Sequence, residues 1–189
     1  IIGAMSLEAL KGVMNAFDAR VMQVRPHTDQ GDTAENVRRI LAGSGIIEKY
    51  RGHRVQDALS LRCIPQLHGA AKKTFRDAEK TIEIEMNSCC DNPILWPEEG
   101  NQDVISACNP DSAYVGMEMD SACIAAVSLA KMSERRNNRM IDESLSGYPS
   151  FCIANPGLNS GLMIPQYTQA GLINEMRGLA TPSTIDNTP

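Results

Sequence analysis

The chain reads as an all-α protein, a bundle of long helices, and three observations predict it. Apolar residues recur at three- and four-residue steps almost throughout. The two-residue alternation that marks strands is nearly absent. Gly- and Pro-bearing connectors at 100–109, 147–149 and 155–161 separate long uninterrupted segments. Its 189 residues suffice for one domain, which would bury roughly two-thirds of its unfolded surface. We therefore expect 1–189 to form a single helical segment.

Taken in order, shorter helices are expected over residues 1–17, 33–43 and 54–63, with Asp32 or Thr33 as the cap of the second. The first long helix is expected over 67–87. Phe75, Ala78, Ile82 and Met86 share one of its faces, and Asp91-Asn92-Pro93 ends it, because proline disfavours helix in the residue before it. The second is expected over 112–138. Its middle, 122–130, is apolar or small nearly all round, and its last turns carry Lys131, Arg135, Arg136 and Arg139 at the negative end of the dipole. The third starts near Pro165, with Ile164, Leu172, Met176 and Leu179 as its buried stripe. Aromatic residues are only 4% of the chain, so the core must be built from Leu, Ile, Val, Met and Ala.

Charge narrows the function. A net charge of −5 argues against a nucleic-acid partner, which needs a clustered Lys/Arg surplus. No wholly apolar run approaches the ~20 residues that span a bilayer, so no membrane partner is expected and the protein is placed in the cytoplasm. The six cysteines, Cys63, Cys89, Cys90, Cys108, Cys123 and Cys152, form no C-x-x-C and sit among apolar or small residues, so buried free thiols are expected. His27, His53 and His68 lie in different segments without an H-x-x-x-H pair, so no metal is expected. The chain opens on Ile and stops in a polar stretch at 183–189. We expect a piece of a longer polypeptide.

Gln56, Leu59 and Arg62 fall within about 120° of one another on a helix, so Gln56 and Arg62 can face one site. Arg62 stands among Leu59, Leu61, Cys63 and Ile64, and a guanidinium in apolar surroundings needs an anion. That anion is either a substrate carboxylate held bidentately or an internal partner such as Asp57. The polar cluster Asn87, Ser88, Asp91 and Asn92 reads as helix-end capping. Ser133-Glu134-Arg135-Arg136 reads as a solvated or ion-paired helix end. Ser146-Gly147 and Ser160-Gly161 do not fit G-x-S-x-G, so nothing supports a serine hydrolase.

These residues resemble a known family. Arg54-Val55-Gln56-Asp57-Ala58-Leu59-Ser60-Leu61-Arg62-Cys63 and Pro65-Gln66-Leu67-His68-Gly69 are similar to the signature of ammonia-lyases of the histidine/phenylalanine type, closest to those acting on histidine. The likeness extends through Arg25-Pro26-His27, Asn87-Ser88, Asp91-Asn92-Pro93, Ser133-Glu134-Arg135-Arg136 and Gly157-Leu158-Asn159-Ser160-Gly161. It implies elimination of ammonia from an aromatic amino acid, such as L-histidine to urocanate in histidine degradation. It also implies a 4-methylidene-imidazol-5-one electrophile made from an Ala-Ser-Gly triad, and a homotetramer whose sites are assembled from several subunits. Carried over by position, Arg62 binds the substrate carboxylate, Gln56 lies near it, and Asn109 belongs to a site-lining loop. Leu59 stands where the family has a catalytic-site tyrosine, and Pro110 where it has a phenylalanine. The loop reads Ser106-Ala107-Cys108-Asn109 instead of Ser-Gly-Gly-Asn, and none of the three Ser-Gly pairs follows an alanine. The electrophile is therefore expected from outside this segment, which alone should be inactive. An aminomutase of the same family and a non-catalytic helical scaffold are the alternatives.

Overall fold

A computed structural model of the chain describes residues 1–186, apart from the side chains of Asn101 and Gln102. The last three positions of the expected polar stretch 183–189 lie outside the described residues. The first helix, α1 (Ile2–Ala9), ends well before residue 17. Lys11 takes a positive φ of 56°, Val13 is extended, and a 3₁₀ turn follows at Met14–Phe17. The break has a cause in a distant residue: the Val13 N–H donates to Asp57 Oδ2 at 2.7 Å. Asp18 then caps α2 (Ala19–Gln23), accepting from the Arg20 N–H at 2.8 Å.

Helix α3 (Thr28–Ile40) begins five residues earlier than expected, just past Pro26. Thr33 is not its cap but an interior residue whose hydroxyl donates to the Asp29 carbonyl. Ser44 caps α4 (Gly45–Lys49). The helix expected over 54–63 shrinks to one turn, α5 (Leu59–Arg62), because buried Asp57 ties its segment to Val13 and to Arg54, 3.4 Å away. The long helix α6 (Ile64–Met86) follows almost at once, with Pro65 in its first turn.

The all-α architecture holds, with one small hairpin that runs into the expected connector at 100–109. An antiparallel hairpin, β1 (Ile94–Glu98) and β2 (Asn101–Ile105), pairs Ile94 with Ile105 and turns at Gly100, where φ is 88°. Trp96, Leu95 and Val104 are exposed on it. Helix α7 (Ala113–Ile141) comes next, then α8 (Glu143–Ser146), a 3₁₀ turn at Ser150–Cys152, and α9 (Met163–Leu179).

The core lies where α1, α3 and α5 meet the start of α6. Leu7, Phe17, Ala34, Leu61 and Ile64 are essentially inaccessible there. Helix α6 packs on α3 along one side and on α7 along another, and α7 packs in turn on α9. The N-terminal half of α6 lies closest to α3. A Cβ on Gly69 would come 2.6 Å from the Gln30 nitrogen and 2.7 Å from its Cα. Asp120 on α7 accepts from the backbone N–H groups of Ser183 and Thr184 at 3.1 and 2.9 Å, fixing the chain after α9. The Thr184 hydroxyl, which donates to Asp120 Oδ2 at 2.6 Å, acts most strongly, and with these bonds it holds the carboxyl down at about 2.

Several expected buried positions are open. In the first long helix Ala78 is buried, but Phe75, Ile82 and Met86 are exposed. In α9 the buried residue is Ile173, while Ile164, Leu172 and Leu179 are exposed. Of the cysteines only Cys63 is partly buried; the other five are exposed. By length and composition α7 could also cross a membrane, contrary to expectation, although it packs on α6 and α9 here.

Gly69→Ala should destabilise the fold by about 1–3 kcal/mol, because the added methyl overlaps backbone and not a yielding side chain. Gly171→Ala, in α9 with nothing within 4 Å of the added carbon, should be neutral or stabilising by up to ~1 kcal/mol. Denaturant midpoints of the two variants check this contrast. His68 on α6 gives a pH signature. Burial, then the Arg136 and Lys72 cations, push its imidazole down from 6.5 to about 4. The unfolded chain therefore takes up the proton first. Stability should be intact above about 6.5, fall as pH drops from there, and bear the full loss below about 4. His68→Gln should lose less stability than the wild type between about pH 7 and pH 5.

Candidate active site

The segment before α6 builds one wall of a cleft. Residues 54–58 form bends and irregular backbone, not helix, so Gln56 does not share the Arg62 helix as its spacing suggested. Tertiary structure nonetheless brings the two together: Gln56 and Arg62 line the same hollow of about 230 Å³ with Val13, Asn15, Val55 and Asp57. Asp57 is not the partner of Arg62. Its Oδ2 accepts from the Val13 N–H, and its Oδ1, which has no hydrogen-bond partner, lies 3.4 Å from Arg54 in an ion pair. The Arg62 Nε is buried and has no hydrogen-bond partner. A donor in that position calls for an acceptor from outside the chain.

Leu59 sits on the same turn but is 62% exposed, with its side chain toward solvent. Asn109 lies elsewhere. Its amide donates to the Cys89 carbonyl at 3.2 Å, beyond the far end of α6. At 1.5 Å per residue, the 23-residue α6 puts Arg62 and Asn109 roughly 35 Å apart. The four expected site residues thus form two groups at opposite ends of one helix. The hollow at Arg62 is also smaller than the ~300–1,000 Å³ of a complete ligand pocket. It is one wall of a site.

Behind this wall stands a charged network, the segment that the sequence presented as a solvated or ion-paired helix end; it is ion-paired. Glu134 and Arg136 are each only 5% exposed. Glu134 is paired with Arg135 and accepts from Gln166 of α9 at 2.9 Å, and these bonds lower its carboxyl. Burial pushes the Arg136 guanidinium down. Arg136 reaches across from α7 to the Ser60 carbonyl, 3.4 Å away, and so touches the turn that carries Arg62. Three charges within one helical turn, Glu134, Arg135 and Arg136, gave no sign in the sequence of which would be buried; Gln166, from another helix, reveals it.

A larger hollow of about 670 Å³ lies between α3 and α6, near His27, Asp29, Lys73 and Arg76. Its charges are largely paired, Asp29 with Arg76 at 2.5 Å and Asp77 with Lys73. Gln66 Oε1 on its wall is a buried acceptor without a partner, whereas the unpartnered group of the Arg62 cleft is a donor. Among the described residues, no three His, Cys, Asp or Glu side chains come together closely enough to hold a metal ion.

Comparison with known proteins agrees with this geometry. The family model "Aromatic amino acid lyase" matches residues 1–189. A histidine ammonia-lyase of Alkaliphilus metalliredigens is 44% identical over the whole chain, which spans 37% of that protein's length. The crystal structure of histidine ammonia-lyase from Trypanosoma cruzi superposes with a TM-score of 0.87 at 32% identity, covering 99% of this chain and 34% of that one. A phenylalanine aminomutase of Pantoea agglomerans gives a TM-score of 0.88 at 31% identity, covering 98% of this chain and 39% of that one. A family model that matches residues 1–189, and a fold that superposes on solved members, lead to one conclusion: the chain belongs to the aromatic amino acid lyase family.

Proposed function

We propose that the chain forms the substrate-carboxylate wall of an ammonia-lyase that converts L-histidine to urocanate. The buried, unpartnered Arg62 Nε carries this reading. A guanidinium with a free donor beside Gln56 suits a carboxylate, held by charge-assisted hydrogen bonds in a partly dry cleft. Histidine is favoured because the relatives at 44% and 43% identity are histidine ammonia-lyases. An aminomutase is the second reading, supported by the equally good superposition on the Pantoea enzyme. Product analysis separates the two, since a mutase returns the amine to the neighbouring carbon.

In this family a 4-methylidene-imidazol-5-one group, when present, supplies the electrophile that makes the substrate amine a better leaving group. The Ser-Gly pairs here follow Gly43, Leu145 and Asn159, so the group does not arise within residues 1–189. The role left to this chain is to bind and orient. Arg62 fixes the carboxylate end, and Gln56 lies at the rim beside it. Leu59 can neither donate a hydrogen bond nor move a proton, so the work of the family tyrosine falls to another group.

The separation of Arg62 from Asn109 supports a site shared between subunits. In a two-fold arrangement, α6 of one copy can bring its Asn109 end toward the Arg62 end of another. Exposed Tyr114, Met117 and Ile124 on α7, with Tyr167 and Leu172 on α9, supply apolar surface for such contacts. We read that surface as a subunit interface and not as lipid-facing, in a homotetramer.

In the ammonia-lyase containing this chain, Arg62→Ala should weaken substrate binding about ten- to a hundredfold, from a lost contact of about 1.5–3 kcal/mol. Arg62→Lys should recover only part of it. Leu59→Tyr should raise the rate on histidine. A rate unchanged on every aromatic amino acid would show that Leu59 does not face the site. Residues 1–189 alone should form no urocanate, and its detection would overturn the proposed source of the electrophile. Light scattering should find an oligomer; a stable monomer at micromolar concentration would refute the shared site.

A further inference from the structure

Arg136 is a cation that the fold buries without neutralising. It is only 5% exposed, yet among the described residues no carboxylate pairs with it, and its Nε has no hydrogen-bond partner. The neighbouring Glu134 is committed to Arg135 and to Gln166, which donates to it at 2.9 Å. Because Arg136 is covered within one chain, assembly offers it no further acid. A buried, unpaired guanidinium costs stability, so its place calls for another explanation. The contact it does make supplies one. Arg136 Nη1 donates to the Ser60 carbonyl at 3.4 Å, across 76 residues of chain. Ser60 is the middle of the single turn α5, which carries Arg62. A helix that short leaves most of its carbonyls without partners of its own. Upstream, Asp57 ties the segment to the Val13 N–H; Arg136 is what holds the turn itself from α7. The charge is also felt beyond the turn. At His68 on α6, whose Nε2 is buried without a partner, Arg136 is the strongest influence after burial in keeping the ring neutral.

We propose that Arg136 is a positioning residue for carboxylate binding, bracing the α5 turn through the Ser60 carbonyl so that Arg62 keeps its place in the hollow it shares with Gln56. The inference rests on the reading of Arg62 as the carboxylate ligand. Arg136 itself touches no substrate and acts through Arg62. Its uncompensated charge adds to the effect, since an anion entering the hollow meets a second cation behind the wall, in surroundings that screen it weakly. A neutral side chain would lose both the brace and the charge. A lysine would keep the charge and lose the planar fork that reaches the carbonyl.

The test uses the whole ammonia-lyase containing this chain and measures competitive inhibition by two fragments of its amino-acid substrate. For histidine these are imidazole-propionate, which keeps the carboxylate and lacks the amine, and histamine, which keeps the amine and lacks the carboxylate; another substrate supplies the corresponding pair. Arg136→Gln should weaken the carboxylate fragment about three- to tenfold and raise KM by a similar factor. Binding of the amine fragment and kcat should stay within about twofold of the wild type. In an Arg62→Ala background the same substitution should change carboxylate binding less than about twofold, because the braced group is gone. Arg136→Lys should give a smaller loss, again confined to the carboxylate fragment, and decides the matter should Arg136→Gln not fold. Equal weakening of both fragments would reveal a merely structural role. That outcome, additive losses with Arg62→Ala, a fall in kcat alone, or no change would each overturn the proposal. If Arg62→Ala itself spares the carboxylate fragment, the reading of Arg62 fails. Failure of the Arg136 inference alone looks different, with Arg62→Ala selective for the carboxylate and Arg136→Gln not.

Discussion

Helix α6 is held between α3 and α7, and the expected site residues lie at its two ends. The contact with α3 depends on the absence of a side chain at Gly69, where the Gln30 backbone takes the room a Cβ would occupy. Backbone contact at this range lets Lys72 reach from α6 to the Thr33 hydroxyl at 2.9 Å. On the other side α7 supplies Arg136, whose charge is felt at His68 and whose guanidinium touches the α5 turn. A rigid helix of 23 residues fixes the spacing between those ends.

That spacing is what makes a single chain insufficient for the proposed chemistry. The Arg62 end offers a buried Nε donor without a partner, and the Asn109 end an exposed amide beside the hairpin. Neither encloses a ligand. The apolar residues left open on α6, α7 and α9 fit the same picture, because helices of a bundle normally cover such positions. The exposure of the α9 stripe and of the cysteines is thus a property of one chain considered by itself.

Charges buried in this small structure are held by specific partners. Asp57 is covered because it satisfies the Val13 N–H and Arg54, and the contact breaks the first helix and delays α5. Glu134 is covered because Arg135 and Gln166 satisfy it. Arg136 is the least satisfied, with an orphaned Nε and one long bond to Ser60. Buried ions of this kind cost more to desolvate than isolated pairs return, so they are better read as fixing geometry near Arg62 than as adding stability.

The sequence by itself determined the long helices and the family. Periodicity of three to four residues is a local property, so the expected helices over 67–87 and 112–138 and the one near Pro165 match Ile64–Met86, Ala113–Ile141 and Met163–Leu179 to within three residues. The ordered motifs around Arg62 made the family legible, and the likeness holds along all 189 residues. Only the tertiary structure decided the rest. Asp57 acts on a residue 44 positions away, and Arg136 on one 76 away, so no local pattern could show that residues 54–58 are not helical or that Arg136 is buried. The hairpin escaped because its strands are only five residues each and carry no clean alternation. The gathering of Gln56 with Arg62, and the separation of both from Asn109, follow from how α6 is packed, which is a long-range property that spacing along a chain does not encode.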